Sequence, residues 1–259
     1  MGSSTLVATS RAPGPIPLPA LGPLRAQPWR VVEAQHQVST RALVDSDAEQ
    51  LLLEEMIDAA KPPLPSEAAG LHYLLATPFR YPPLPHGSRF GTRFERGIWY
   101  GAASRRTAFA ETAYYRLLFL EGTAADLAPL AVDLSLFRAR LATPRGADLA
   151  APELANHRQA IASRTSYEAT HRLGAAMREH GVEAFRYPSA RDVRGGACYG
   201  VLSPAAFAAS RPSAPQHWYA VVHPEAVEIV KRDVFRHQVY RFPREVFLVD
   251  GELPAPGVG

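Results

Sequence analysis

The sequence contains a single cysteine, Cys198, among 259 residues, so it cannot form an internal disulfide. No uninterrupted apolar run reaches the roughly 18 residues that indicate a membrane-spanning helix. The first 24 residues are apolar, but five prolines interrupt them, and they lack the continuous apolar core of a secretory signal. These absences predict a cytoplasmic protein without membrane association.

Lysine is scarce as well. Of the 28 basic residues only Lys61 and Lys231 are lysine, and the formal net charge is +3. The planar guanidinium of arginine suits phosphate and carboxylate groups. A GC-rich coding sequence explains most of this arginine excess, so each arginine has to be argued from its position. No basic and aromatic repeat marks a nucleic-acid platform, and we expect no direct nucleic-acid binding.

Several motifs of established chemistry are missing. The sequence has no P-loop pattern and no strand-borne G-x-G-x-x-G, which argues against P-loop and Rossmann nucleotide binding. It has no G-x-S-x-G elbow, so a serine hydrolase is not supported. The nine histidines include no H-E-x-x-H spacing, and we predict no bound metal.

The length and the 47% hydrophobic content suit one large domain, or a domain with an N-terminal extension. We assign residues 1–65 to an extension, of which residues 1–28 are predicted to be extended or disordered, and residues 66–259 to a catalytic domain. Trp29–Val32 reads as a short strand. Asp45–Ala60 reads as a helix, because acids precede an apolar face and prolines end it.

The stretch Phe79–Tyr115 concentrates most of the candidate site chemistry. The prolines of Pro78–Pro85 predict an extended, stiff segment carrying Arg80 and Tyr81. Ile98–Ala102 is expected to be a strand. Ser104 is a plausible N-cap for a helix that runs to about Leu120.

The C-terminal half is predicted to be rich in strands. A strand at Leu130–Leu136 should be followed by a polar, arginine-rich loop and then by helices near 149–162 and 166–180. The further strands are expected at Val182–Tyr187, Ala197–Leu202, His217–Val222, Ala226–Val230, Val234–Phe242 and Val246–Val249. This irregular order favours an α+β fold over alternating βαβ units.

The order of motifs is more informative than any single residue. An Arg-Tyr pair precedes the run Arg89–Phe94 (RFGTRF), then come a strand ending in Tyr100, a helix with Glu111 and a turn with Ser189. This order resembles the RES domain family, bacterial toxins named after an Arg, a Glu and a Ser. The eleven-residue step from Tyr100 to Glu111 is typical of the family.

The resemblance covers roughly residues 70–250, with departures. Thr92 stands where the family usually has Gly, and Phe94 where it has Trp. The local pattern favours Arg93 as the family arginine, whereas a longer reach to Tyr100 favours Arg89, so both are kept.

The resemblance implies an ADP-ribosyltransferase-like mixed β core flanked by helices, and NAD as the substrate. Family members break the nicotinamide–ribose bond, by hydrolysis or phosphorolysis, or transfer ADP-ribose to a protein. It also implies a cognate antitoxin with an Xre-like helix-turn-helix region.

The resemblance assigns roles to seven residues. Arg80, with Arg89 or Arg93, would clamp phosphates. Tyr81 and Tyr100 would stack on nicotinamide or bond the ribose. Glu111 would stabilise the developing cation, and Ser189 would position the ribose or the acceptor.

Two hypotheses from other classes remain. The arginine excess is compatible with an RNA-targeting toxin, which would bind nucleic acid with a steep salt dependence. A catalytically inactive interaction module would retain its phenotype after Glu111→Ala. Four candidate residues also have a structural alternative: Glu111 at the helix rim bonded to a nearby arginine, Arg80 in an ion pair, Tyr100 at the end of a core strand, and Ser189 as a turn residue.

Overall fold

The computed structural model describes residues 14–34, 44–81, 83, 85–124, 129–231 and 238–256. Of residues 1–28, which were predicted to be extended or disordered, residues 1–13 lie outside the described residues, whereas Gly22–Ala26 forms a strand. The helices are α1 (Asp47–Ala60), α2 (Tyr73–Arg80), α3 (Arg105–Glu121), α4 (Arg158–Ile161) and α5 (Glu168–Glu179). Short 3-10 turns occupy Ser66–Ala68, Pro152–His157, Pro204–Ala206 and Arg244–Phe247.

Ten strands form one sheet within the described part of the chain. They are β1 (Gly22–Ala26), β2 (Trp29–Glu33), β3 (Trp99–Ala102), β4 (Leu130–Arg138), β5 (Leu141–Asp148), β6 (Ala184–Pro188), β7 (Ala197–Val201), β8 (Ser213–His223), β9 (Ala226–Lys231) and β10 (Gln238–Pro243). Their order is β1-β5-β6-β7-β3-β2-β4-β8-β9-β10. The pair β5–β6 runs parallel and the other named pairs run antiparallel. The predicted α+β class, a mixed sheet with flanking helices, is confirmed.

The N-terminal strands are part of this sheet. The predicted strand at Trp29 is confirmed as β2, which lies between β3 and β4. Strand β1 pairs with β5 at the far edge. The assignment of residues 1–65 to an extension stays a prediction, but part of that segment supplies an interior strand.

The prediction that Pro78–Pro85 excludes helix was wrong for its first residues. Helix α2 contains Pro78 and ends at Arg80. A proline in a helix leaves the carbonyl four residues earlier without its usual donor. Here that carbonyl belongs to Leu74, and the indole N–H of Trp99 donates to it at 3.3 Å. A tertiary contact therefore compensates for the proline.

Two further predictions were wrong. The segment after Leu136 was expected to be a loop, but it contains strand β5, which pairs with β1 from the N-terminus. Pro144 falls where the β1–β5 register shifts, a position at which proline is tolerated. The strand expected at Val246–Val249 is instead a 3-10 turn at Arg244–Phe247 whose Phe247 packs into the core.

Helix α3 packs one face on the sheet. Its start follows the prediction, because Ser104 Oγ accepts from the backbone N–H of Thr107 at 3.0 Å. Phe109, Ala113 and Leu117 are buried against strands β4, β8 and β9. The opposite face carries Glu111 and Tyr115 beside a cavity. The helix therefore joins the core to the candidate site.

Candidate functional site

One row of residues across four strands lines a cavity of about 550 Å³. Tyr187 of β6 pairs with Cys198 of β7, Cys198 pairs with Ala102 of β3, and Ala102 pairs with Trp29 of β2. All four residues line the cavity. Because strand pairing brings these distant segments side by side, the floor of the cavity follows directly from the sheet order.

Glu111 enters the cavity from helix α3, on the same helical face as Ala108 and Tyr115, which also line it. Its Oε1 accepts a hydrogen bond from Ser189 Oγ at 2.6 Å. Among the described residues no group donates to its Oε2. The carboxylate is therefore held by one oxygen while the other is left for a ligand.

Ser189 lies behind Glu111 and is not among the residues that line the cavity. Its Oγ accepts from the backbone N–H groups of Arg191, at 3.1 Å, and Asp192, at 3.0 Å. With these two donors occupying the oxygen, its own proton is directed to Glu111. The sequence analysis gave Ser189 the role of positioning the ribose or the acceptor, whereas in the structure its hydroxyl contacts and orients Glu111.

Arg89 lines the cavity and is 6% exposed. Its Nη1 donates to the carbonyl of Ser163 at 2.8 Å, and the guanidinium lies 4.8 Å from the ring centre of Tyr167. No carboxylate of the described residues forms an ion pair with it. Arg89 is thus a buried cation held by carbonyls and an aromatic ring. Burial opposes its charge, but Tyr167 and the nearby carboxylate of Glu111 raise its pKa.

The other two predicted arginines lie outside the cavity. Arg93 is exposed, and its guanidinium lies 4.6 Å from the ring centre of Phe94. Arg80 ends helix α2, and its Nε donates to the carbonyl of Pro62. Of the two alternatives for the family position, the structure therefore places Arg89 at the cavity and Arg93 away from it.

Arg30 is a cavity residue that the sequence prediction missed. It lies on β2, its Nη1 donates to the carbonyl of Tyr100 at 2.8 Å, and its guanidinium is 5.3 Å from the Trp99 ring centre. Burial lowers the pKa of Arg30 to about 10, so the group is still cationic at neutral pH. Among the described residues no acid pairs with it. Only the position of β2 inside the sheet shows that Arg30 lies at the cavity.

Tyr81 and Tyr100, the two tyrosines named as candidates, both line the cavity. The hydroxyl of Tyr100 lies 2.9 Å from Ser88 Oγ and accepts from the backbone N–H of Phe90 at 3.2 Å. Burial raises the pKa of Tyr100 to about 12. At physiological pH the hydroxyl is therefore protonated and held in place, and it does not act as a general base.

Three further cavity residues were not predicted as site residues: Tyr115, Tyr187 and Cys198. The hydroxyl of Tyr115 lies 3.4 Å from that of Tyr167. Cys198, predicted as a core residue, is buried and its Sγ donates to Glu111 Oε1 at 3.6 Å. Burial raises the pKa values of Tyr187 and Cys198 well above their ordinary values. Of these three residues, Tyr115 could have been predicted from the sequence, because it lies one helical turn after Glu111.

Within the residues that the structure describes, no group of three or more histidine, cysteine, aspartate or glutamate side chains is arranged to hold a metal ion. In the same residues no helix is both long and apolar enough to cross a membrane.

Comparison with known proteins gives a family match. The model of the RES domain family matches residues 64–223, more than half of the chain. Among solved structures the chain is similar to the crystal structure of the M. tuberculosis MbcT–MbcA toxin–antitoxin complex, at 13% identity and a TM-score of 0.43, over 79% of this chain and 87% of the other. No curated protein matches the sequence.

Proposed function

The chain belongs to the RES domain family, and from this premise we propose that it consumes NAD and is the toxin of a bacterial toxin–antitoxin pair. The reaction is cleavage of the nicotinamide–ribose bond. The carbon–nitrogen bond at ribose C1′ breaks, its electron pair leaves with nicotinamide, and an oxygen of water or phosphate bonds to C1′.

The observation that carries the proposal is the Ser189–Glu111 pair beside a cavity with two arginines, neither of which forms an ion pair with a described carboxylate. Cleavage of this bond passes through an oxocarbenium-like state. A fixed carboxylate near the developing positive charge stabilises it, because it needs no reorganisation during the reaction. Ser189 supplies the fixation through its 2.6 Å bond to Oε1, and Oε2 is free to face the ribose.

Arg30 and Arg89 suit the pyrophosphate of NAD. Guanidinium groups bind phosphate oxygens through charge-assisted, often bidentate hydrogen bonds. Each of these arginines uses its Nη1 on a backbone carbonyl and keeps other N–H groups unpaired among the described residues. No carboxylate of the described residues forms a direct ion pair with either cation, although Glu111 raises the pKa of Arg89, and an anionic ligand would supply such a direct partner. We do not assign this role to Arg80, because its Nε donates to the carbonyl of Pro62 and the residue does not line the cavity.

The aromatic side chains suit the nicotinamide ring. Tyr100 and Tyr187 meet edge to face, with ring centres 6.4 Å apart, and both line the cavity. Aromatic faces attract a cationic ring such as oxidised nicotinamide. Tyr81, which is more exposed, would contact the outer part of the ligand.

The proposal extends to location and partner. A toxin that consumes NAD acts in the cytoplasm, and the family resemblance implies an antitoxin with an Xre-like helix-turn-helix region. Expression of the chain should arrest growth, and co-expression of a cognate antitoxin should restore it.

The test is loss of NAD with purified protein, with and without phosphate, for the wild type and Glu111→Gln. The matched control is Glu121→Gln on the same helix, where the carboxylate pairs with Arg244 at the surface. We expect the Glu111 variant to lose activity by about 100-fold or more, since a group acting in the transition state contributes about 10²–10⁴-fold. The Glu121 variant should retain it.

The product identifies the acceptor. Loss of NAD that requires phosphate indicates phosphorolysis, and loss of NAD without phosphate indicates hydrolysis. If free NAD survives in every condition, labelled NAD in cell lysate separates transfer of ADP-ribose to a protein, which would label a band, from the absence of NAD chemistry, which would not.

A further inference from the structure

Two hydrogen-bonded pairs connect helix α3 to the turn that follows β6. The first is Glu111–Ser189, described above. The second is Thr107–Asp192, in which Thr107 Oγ1 donates to Asp192 Oδ2 at 2.8 Å. Thr107 and Glu111 are four residues apart and share a helix face. The two pairs therefore lie as successive rungs between the same two segments.

The rung at Thr107 has a defined proton arrangement. A threonine hydroxyl has one proton, and here it goes to Asp192. Ser104 Oγ, 2.8 Å from Thr107 Oγ1, must then be the donor in that contact, while it accepts from the Thr107 backbone N–H. The chain Ser104–Thr107–Asp192 joins the helix cap to the turn.

The rung is buried and electrostatically favourable. Thr107 is 1% exposed and Asp192 7% exposed. Asp192 Oδ1 accepts from the backbone N–H of Arg194 at 3.1 Å and lies 3.7 Å from Arg106 Nε. The carboxylate also sits beside the first turn of α3, where the helix dipole favours negative charge.

This rung bears on Ser189 through the backbone of the turn. The residue whose carboxylate Thr107 holds, Asp192, donates its own backbone N–H to Ser189 Oγ at 3.0 Å. Movement of Asp192 would remove one of the two donors that direct the serine proton to Glu111. Fixing Asp192 against α3 therefore fixes the orientation of the serine hydroxyl.

Gly196 supplies an independent observation. Its backbone carbonyl accepts from the Ser189 N–H at 2.8 Å. A Cβ at this position would overlap Thr107 Oγ1 and lie 2.6 Å from Asp192 Oδ2. The absence of a side chain at 196 is thus what allows the rung and the serine turn to coexist.

We propose that Thr107 and Asp192 are positioning residues, which hold Ser189 against the catalytic carboxylate of Glu111 while lying outside the cavity themselves. This inference rests on the proposed function, because it assigns the pair a role in the same reaction.

The test is a double-mutant cycle of Thr107→Val and Ser189→Ala, measured as kcat and KM for NAD loss. Valine keeps the shape of threonine and removes the hydroxyl. We expect kcat to fall about tenfold with KM within about twofold, because misplacing a reacting group costs rate more than binding. In the Ser189→Ala background the same change should have no further effect on kcat.

Two controls separate positioning from packing. Thr107→Ser keeps the donor and should restore kcat to near the wild-type value. Thr143→Val removes another buried hydroxyl that donates to a carboxylate, that of Glu183, on strand β5 away from the cavity. It should leave kcat unchanged. Equal losses from Thr107→Val in both serine backgrounds, or no loss in either, would overturn the proposal.

A readout without activity separates this proposal from the proposed function. Hydrogen exchange of the Arg191 and Asp192 amides, which both donate to Ser189 Oγ, should accelerate at least about tenfold in Thr107→Val relative to the amides of α5. Unchanged exchange overturns the positioning role even if the wild type consumes no NAD. If Thr107→Val fails to fold, Gly196→Ala displaces the same pair and should give the same local acceleration.

Discussion

The two faces of helix α3 hold their side chains in different ways. On its core face Phe109, Ala113 and Leu117 are almost completely buried against strands of the sheet. On its other face Thr107 and Glu111 each make a directed hydrogen bond to the turn at 189–192. Apolar burial stabilises the helix without fixing a particular atom, whereas the directed bonds fix individual oxygens.

We therefore expect substitutions on the two faces of α3 to affect different properties, the free energy of unfolding on one face and the reaction rate on the other. Substitutions on the core face change the free energy of unfolding, because the hydrophobic contribution scales with buried apolar area. Substitution of Glu111, on the cavity face, should change the rate of the reaction at nearly constant stability. Loss of the buried Thr107 hydroxyl should also cost stability, because it leaves Asp192 Oδ2 without its donor. The predictions below test that separation, beginning with the largest effect.

Phe109→Ala should lower the free energy of unfolding by about 3–5 kcal/mol, the usual cost of removing a buried aromatic ring. The ring is 0% exposed and lies 4.8 Å from the Trp218 ring centre and 5.0 Å from that of Tyr240. Urea denaturation gives the stability, and the rate per folded molecule should be unchanged. Phe119→Ala on the same helix, where the side chain is 52% exposed, should cost less than about 1 kcal/mol. A selective loss of rate in Phe109→Ala would contradict the separation.

Arg89→Lys should raise KM for NAD about tenfold, because lysine keeps the charge but loses the planar fork that binds two phosphate oxygens. Arg93→Lys, four residues away and exposed, should change KM by less than about twofold. Steady-state kinetics on the two variants decides between the two arginines that fit the family pattern. A larger effect at Arg93 would place the phosphate site outside the cavity.

Tyr114→Phe should have the smallest effect near neutral pH, about 1 kcal/mol for the lost hydrogen bond to the Pro254 carbonyl. Its effect on alkaline stability is more diagnostic. Burial raises the pKa of Tyr114 to about 12, above the value near 10 in the unfolded chain. Because the folded state holds this proton more tightly, its stabilising effect is complete below pH 10 and declines between about pH 10 and 12.

Denaturation curves recorded between about pH 10 and 12 measure how much Tyr114 contributes to the free energy of unfolding. The wild type should lose up to about 1.4 kcal/mol more per pH unit than Tyr114→Phe between pH 10 and 12. Parallel pH profiles for the two proteins would show that Tyr114 ionises normally.

Local features of the site could be predicted from the sequence. Ser104 caps α3 as predicted, and Glu111 and Ser189 lie on the predicted helix and on the predicted turn. Cap chemistry and helical spacing depend on residues within a few positions of one another, so sequence patterns describe them well. The predicted roles of the arginines depended on long-range packing, and there the prediction was less successful.

Arg30 and Arg80 show why. Arg80 belongs to an Arg-Tyr pair beside the motif region, yet helix α2 continues through Pro78 and directs its guanidinium to Pro62. Arg30 lies far upstream, yet it donates to the carbonyl of Tyr100, 70 residues away in sequence. No local pattern distinguishes the two, because the position of β2 between β3 and β4 depends on the pairing of the whole sheet.

The sequence by itself determined the family, the capped helix that carries Glu111, and the turn that carries Ser189, since each follows from short-range spacing and residue chemistry. Only the tertiary structure decided which arginines face the cavity, which tyrosines line it, and that Thr107 and Asp192 form a second rung beside the carboxylate. Those outcomes depend on strand order and on hydrogen bonds between distant segments, and such pairings are stabilised only when the complete sheet and its helix pack together.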